Sequence, residues 1–311
     1  MTALGFDTSN YTTSAAAFDG AAGQNCSRLL DVKPGELGLR QSDALFAHVK
    51  RLPELTAALA AQADLRDIAA VGVSTRPRAV EGSYMPCFLA GECQASVLSS
   101  VLGVPLVRVS HQQGHLAAVL FSAGRMDLMD RPFLAWHLSG GTTELLLAEP
   151  EEGNLRARRI GGTKDLAAGQ IIDRTGKALG LPFPAGKALD ALAGQSAEKR
   201  RVTVKLDGLE FSFSGLENQM QKLRTEGAPP EETAAFVLRS VSDAVVRATE
   251  EALRQHPGLP VVFSGGVASN TLLRARCAKL DPVFAPPQYS TDNALGVAVL
   301  AWRLGVERWN R

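Results

Sequence analysis

Two histidines four residues apart, His111 and His115 in the run Ser110-His111-Gln112-Gln113-Gly114-His115-Leu116, are the residues of this 311-residue chain most suited to chemistry. On a helix, residues four apart share a face, so both imidazoles can address one ion. Neutral imidazole is a common ligand for zinc, iron and related metals. Two ring nitrogens with one carboxylate would leave a coordination position open. The same spacing also suits two polar residues on the exposed side of a surface helix. Proteolytic zinc chemistry is disfavoured, because H-E-x-x-H needs a glutamate as general base and Gln112 and Gln113 fill the gap. An amide cannot take that proton.

A second group of residues could meet phosphates. Asp7-Thr8-Ser9, Ser139-Gly140-Gly141-Thr142 and Ser264-Gly265-Gly266 each follow an apolar run that reads as a strand. Without a Cβ, backbone N–H groups approach an anion closely. One Gly-Gly turn is more often a tight bend, but matched turns favour a nucleotide cleft.

These residues need elements to position them. Residues 4–8, 12–18 and 27–32 read as strands, and 42–63 as a helix with Pro53 as a kink or break. Next come a strand at 69–74, a buried helix at 86–102, and a strand at 105–109 that delivers the chain to His111 at the start of a helix. The second half restarts: strands at 133–138, 143–148 and 155–160, then helices at 167–181, 186–197 and 233–255. A strand at 260–263 and a helix at 292–304 close the chain. Strands joined by hairpins followed by alternating helix and strand occur twice. This predicts an α/β protein of two similar lobes, 1–130 and 131–311, facing each other across a nucleotide cleft, with a helical insertion at about 165–230 in the second.

Bulk properties narrow the function classes. Apolar residues make up 45% and charged ones 21%, ordinary for a soluble globular chain. With 33 basic and 32 acidic residues the net charge is +1, so nucleic-acid binding must use a local patch or a partner. Cys26, Cys87, Cys93 and Cys277 form no C-x-x-C pair and read as reduced thiols of a cytoplasmic protein. Residues 85–107, the most apolar stretch, are too short and too interrupted to span a bilayer. No signal peptide is expected.

Taken in order, the motifs identify a family. The chain resembles the universal tRNA threonylcarbamoyladenosine transferases, formerly the O-sialoglycoprotein endopeptidases, of the actin/hexokinase-like (ribonuclease-H-like) superfamily. The resemblance rests on Gly5-Phe6-Asp7-Thr8-Ser9, the His111–Leu116 run, Leu138-Ser139-Gly140-Gly141, Asp173 in Ala168-Gly169-Gln170-Ile171-Ile172-Asp173, and Pro184-Ala185-Gly186. It continues through Phe211-Ser212-Phe213-Ser214-Gly215-Leu216, Ser264-Gly265-Gly266-Val267-Ala268-Ser269-Asn270 and Ser290-Thr291-Asp292-Asn293. It implies His111, His115 and Asp292 as ligands of one divalent metal, zinc or iron. It also implies Ser139, Gly140, Gly141 and Thr142 near phosphate or substrate, Asp173 on a ribose hydroxyl, and Gly186, Gly265, Gly266 and Asn270 around an adenine nucleotide or adenylate. Asp292 and Asn270 also read as helix N-caps, and Asp173 as a solvent-facing helix residue near Arg174 and Lys177. The implied partners are a smaller homologous actin-like protein, a small ATPase and tRNA. The sequence is also compatible with self-association.

Departures mark the chain as a divergent member. Asn10-Tyr11-Thr12-Thr13 stands where the family usually has Cys-Asp-Glu-Thr, and Thr142 where it has histidine. Arg76 and Arg78 replace turn glycines, the segment 80–88 is lengthened, and Glu217 replaces a common lysine. Asp7 and Thr12 are the catalytic candidates. The expected activity moves threonylcarbamoyl from its adenylate to N6 of a tRNA adenine. The competing expectations are a paralogue that binds metal and nucleotide without transfer, and a small-molecule carbamoyl or phosphoryl transferase served by Arg76 and Arg78.

Overall fold

Strand β1 (Thr2–Ser9) is buried on both faces, and its alternation decides where the chemistry goes. Leu4 and Phe6 point one way; Ala3, Gly5 and Asp7 point the other. The computed structural model describes residues 1–9, 11–31, 39–197, 199–286 and 294–307, which fall into two units.

In the first unit β1 joins β2 (Thr12–Phe18), β3 (Gly23–Leu29), β4 (Ile68–Arg76) and β5 (Leu106–Ser110) in the order β3-β2-β1-β4-β5. The β1–β2 and β2–β3 pairs are antiparallel; β1–β4 and β4–β5 are parallel. Leu4, Phe6, Val71 and Val73 pack against Leu52 and Leu59 of helix α1 (Gln41–Ala60) and Ala90 and Ala95 of α2 (Leu89–Leu102). The other face carries helix α9 (Ala294–Trp302), close enough that a Cβ on Gly5 would overlap the backbone of Ala294 and Ala298. Helix α3 (His111–Ser122) packs on α9 just as tightly, since a Cβ on Gly296 would overlap the Gly114 carbonyl.

Several expectations change. A boundary after residue 130 would put the last helix in the second lobe, but residues 294–307 belong to the first unit. Helix α9 is buried throughout, and its contacts run to β1, β2, β4 and α3. Strand β3 begins at Gly23 rather than 27. Asp19 Oδ1 accepts from the N–H groups of Ala21 and Ala22, closing a short turn that starts the return strand at once. Pro53 does not break α1. The segment read as a buried helix at 86–102 is a 3-10 turn, Pro86–Phe88, followed by α2, which buries only its small residues while Val97 and Val101 are 57% and 78% exposed.

Helix α1 brings His48 into the core below β2. Its Nδ1 lies 2.8 Å from Thr13 Oγ1, and Nε2 has no partner among the described residues. Burial pulls the imidazole from 6.5 down to about 4, with the Asp7 charge opposing. The unfolded chain therefore takes up a proton below its ordinary value that the folded chain refuses until much lower pH. Stability is full above that ordinary value and falls as pH drops toward 4. At roughly 1.4 kcal/mol per pH unit, acidifying from about 6.5 to about 5 should remove about 2 kcal/mol through this residue. In urea unfolding, non-titrating His48→Gln should show a flatter pH dependence over that window. Equal slopes in the two proteins would rule His48 out as the source.

The second unit repeats the strand plan. Strands β6 (Phe133–Leu138), β7 (Thr143–Glu151), β8 (Asn154–Thr163), β9 (Leu206–Asp207), β10 (Glu210–Phe211), β11 (Val261–Ser264) and β12 (Pro282–Phe284) lie in the order β12-β11-β6-β7-β8-β10-β9. The run β8-β7-β6-β11-β12 matches β3-β2-β1-β4-β5, the topological trace of the duplication. The tip of the β7–β8 hairpin, Glu149–Ala157, is counted with the first unit. Helices α4 (Ala168–Ala178), α5 (Gly186–Ala193), α6 (Ser214–Thr225), α7 (Pro230–Gln255) and α8 (Thr271–Cys277) cover this sheet. Sixteen residues of α7 are buried, making it the centre of the core. No described helix is long and apolar enough to cross a membrane.

Candidate functional site

The first unit brings Asp7 to His111. Asp7 projects from the α9 side of β1, and His111 opens α3 directly after β5. His111 Nδ1 donates to Asp7 Oδ2 at 2.8 Å, and Ser9 N–H donates to Asp7 Oδ1 at 3.0 Å. Asp7 is 1% exposed. Burial alone would raise its carboxyl, but the His111 charge and hydrogen bond and the Ser9 amide together hold it below the ordinary carboxylate value. The His111 and His115 rings lie 4.7 Å apart, centre to centre, on the face that their spacing predicts.

The start of α3 is fixed by a capping box. Gln113 N–H donates to Ser110 Oγ, and Ser110 N–H donates to Gln113 Oε1 at 2.8 Å. Gln113 Nε2 then reaches the Leu155 carbonyl at 2.7 Å, and Gln112 N–H donates to the Pro77 carbonyl. The two glutamines between the histidines therefore aim the helix.

This arrangement suits a metal. Asp7 engages Nδ1 of His111, so the nitrogen that His111 would offer an ion is Nε2, in the carboxylate–histidine pattern that orients metal ligands. Asp292 lies outside the described residues. Among the described residues no three His, Cys, Asp or Glu side chains converge on one ion position. Thr12 pairs with Ser9, and Ser14 with Asp7. Opposed residues in an antiparallel pair share a face, so Thr12 lies on the same sheet face as Asp7, two positions along. Arg76 and Arg78 are exposed, and Ser83 Oγ accepts from Arg78 N–H in the lengthened loop.

The second unit holds a cavity of about 410 Å³, lined in part by Gly140, Asp173, Gly186, Gly266 and Asn270. Ser139, Gly141, Thr142 and Gly265 are not on its wall. Ser139 and Thr142 close the turn on each other: Ser139 N–H donates to the Thr142 carbonyl, and Thr142 N–H to Ser139 Oγ. Gly265 serves packing, with φ +89° and a Cβ that would overlap the Leu138 carbonyl. Asp173 accepts from Ala185 N–H at 2.8 Å, tying α4 to the start of α5.

Asp190 is a charged lining residue, beside Lys187, that the motifs do not single out. It accepts from Asn270 Nδ2 at 2.7 Å and from the N–H and hydroxyl of Thr271. The available signal was its place four residues after Gly186, on the same helix face. Asn270 also caps α8, its Oδ1 accepting from Leu273 N–H. A cavity with two carboxylates and bare glycine backbone can receive sugar hydroxyls and let an anionic group close to the chain.

Two further motifs explain themselves. Phe211 and Phe213 are buried, while the hydroxyls of Ser212 and Ser214 both donate to Asp165 Oδ2. Burial would raise Asp165, but these hydroxyls and the Phe213 and Leu166 amides hold it far below the usual carboxylate range. The Phe-Ser-Phe-Ser run thus anchors β10 and α6. Glu217 pairs with Arg174 at 2.8 Å, which accounts for an acid at that position.

Gly140 and Gly186 have no atoms within 4 Å of where a Cβ would sit, and neither has a positive φ. Gly140→Val and Gly186→Val should therefore fold and fill the cavity. A ligand that binds only the folded state raises the melting temperature by mass action. The shift given by millimolar adenylate or ATP should disappear in both variants. An undiminished shift in both would move nucleotide binding elsewhere.

Both units carry the β-sheet plan of the actin/hexokinase-like proteins, and solved structures agree. Component A of (R)-2-hydroxyglutaryl-CoA dehydratase from Acidaminococcus fermentans superposes with TM-score 0.59 at 16% identity, over 97% of this chain and 98% of that one. Full-length HypF gives 0.61 at 14%, over 96% and 46%. A ROK-family glucokinase from Streptomyces griseus gives 0.52 at 14%, over 97% and 99%. These likenesses define the fold class: a two-lobed α/β protein of the actin/hexokinase-like type. Within it, the family model for TsaD, tRNA N6-adenosine threonylcarbamoyltransferase, matches residues 36–299. A relative of that name from Streptococcus equi subsp. zooepidemicus (strain MGCS10565) is 35% identical over 255 residues, 78% of this chain and 72% of the relative. One from Streptococcus pneumoniae serotype 2 is 33% identical over 258 residues, 79% and 72%. The chain belongs to the tRNA N6-adenosine threonylcarbamoyltransferase family.

Proposed function

We propose that this chain transfers a threonylcarbamoyl group from its adenylate to N6 of a tRNA adenine. The observation that carries the reading is the cavity of the second unit, where Asp173, Asp190 and Gly140 meet in a member of a family of this name. In the reaction N6 attacks the carbamoyl carbon, the bond from that carbon to the phosphate oxygen breaks, AMP leaves, and N6 gives up one proton to water. Asp173 and Asp190 accept from the ribose hydroxyls of the adenylate, and Gly140 lets its phosphate approach the backbone. Asp7 fixes the ring of His111, which with His115 and Asp292 would hold one zinc or iron ion. Such an ion supplies Lewis-acid polarisation and a template for the acyl group. Thr12 and Thr142 offer no proton acceptor where the family usually has an acid and a histidine, so the chain would work slowly. Family membership favours transfer over a role limited to binding.

The same reading includes partners. Phe46 and Val49 on α1 and Val97 and Val101 on the adjoining α2 are all more than half exposed. Exposed apolar side chains of this kind suit a second protein, and a smaller homologous actin-like chain is the proposed occupant, with a small ATPase, in the cytoplasm. The test is reconstitution with those partners, threonylcarbamoyl-adenylate and tRNA, followed by nucleoside analysis of the tRNA. Threonylcarbamoyladenosine formed with an equal amount of AMP supports the reading; AMP release without modified tRNA overturns it.

A further inference from the structure

Asp243 is buried on α7, and three arginines converge on it. Arg201 Nε and an Arg276 guanidinium nitrogen each donate to Asp243 Oδ1 at 2.8 Å, and Arg247 lies 3.8 Å from Oδ2 while donating to the Val204 carbonyl at 2.8 Å. One carboxylate cannot neutralise three guanidinium groups, so among the described residues the cluster keeps a surplus of two positive charges. The arginine side chains are 43%, 35% and 30% exposed for Arg201, Arg247 and Arg276, so that surplus faces solvent. Lys199 is exposed two residues before Arg201, and Arg239 sits one turn before Asp243 on α7. The neighbouring Lys279 is matched by Glu250 and adds nothing. Arg201 and Arg247 tie the 201–204 segment to α7 and Arg276 ties α8 to it, so packing accounts for the convergence but leaves the extra positive charge uncompensated among the described residues.

We infer that Arg201, Arg247 and Arg276 form a docking surface for the phosphodiester backbone of the tRNA substrate. The inference rests on the proposed tRNA reaction and adds the surface that holds the acceptor. Guanidinium groups match phosphate oxygens with paired, charge-assisted hydrogen bonds. Asp243 holds their inner edges, so little side-chain freedom is lost when phosphate arrives. A chain of net charge +1 has no global field to attract RNA, which makes a local excess the feature to look for. Helix α8 connects the surface to the cavity. It starts beside Asn270 on the cavity wall and carries Arg276 near its end, about 9 Å further along at 1.5 Å per residue.

The experiment measures binding of unmodified tRNA to the full-length chain by fluorescence anisotropy between about 50 and 200 mM salt. Arg201→Gln with Arg247→Gln keeps Arg276 on Asp243 and should weaken binding at least about tenfold, lowering the salt slope by about two. Lys199→Glu has no part in the Asp243 contacts and should weaken it as well, which covers misfolding of the first variant. Both should retain the melting-temperature shift with adenylate. Unchanged tRNA affinity and slope in both folded variants overturns the surface. Failure of the transferase reading would look different: tRNA binding would respond to the variants while no threonylcarbamoyladenosine forms.

Discussion

Changing His111→Ala and His115→Ala together should abolish metal binding. Elemental analysis should find about one zinc or iron per unmodified chain and none in the double variant. The expectation rests on the pair sharing one face of α3, with rings 4.7 Å apart, and on Asp7 holding His111 by Nδ1. Asp7→Asn gives a graded version. It keeps the shape but exchanges a carboxylate acceptor for an amide, and loss of such a supporting partner costs about 10- to 100-fold in metal affinity. Competition with a chelator reads that loss without any assay of turnover. Full metal content in the double variant would sink the assignment. Unchanged affinity in Asp7→Asn would leave the histidines as ligands but deny Asp7 its orienting role.

The second large effect concerns turnover. Supplied with partners, tRNA and preformed adenylate, the unmodified chain should run at least about a hundredfold below a standard family member, the low end of what one general acid–base group contributes. Thr12→Glu with Thr142→His should recover much of that deficit. Geometry supports both changes. Thr12 is partly exposed and on the Asp7 face of the sheet, so a glutamate there can reach outward. Thr142 contributes its N–H and carbonyl to the Ser139 turn, and a histidine keeps those backbone bonds. Full activity in the unmodified chain would show that neither position limits the rate. No activity in either form would turn attention to Arg76, Arg78 and the segment 80–88 as determinants of a different substrate.

The two kinds of residue differed in how readily they could be read. The histidine pair, the duplicated strand plan and the glycine turns at Gly140 and Gly266 were legible from local spacing: four residues on a helix, two on a strand, a glycine turn after an apolar run. Asp173, Gly186 and Asn270 were legible only through the family resemblance. Gly140, Asp173, Gly186, Gly266 and Asn270 do line one cavity. Gly265 resembled them in sequence, yet its missing Cβ makes room for Leu138. Asp190 shares a helix face with Gly186, but that spacing alone does not distinguish it from a solvated acid until Asn270 and Thr271 fold against it.

What the sequence by itself determined is therefore the period of each element, the family, and the residue types available for metal and nucleotide. Only tertiary structure decided which of them meet. Asp7 and His111 are 104 residues apart and pair because β1 alternation turns Asp7 toward the face that α3 and α9 cover. The last helix joins the first unit because Gly5, Gly72 and Gly296 leave room for close backbone packing. Three arginines from separate segments share Asp243 because α7, α8 and the 201–204 segment pack against one another. Local spacing sets which way a side chain points from its own element; which element stands opposite depends on packing across the whole chain.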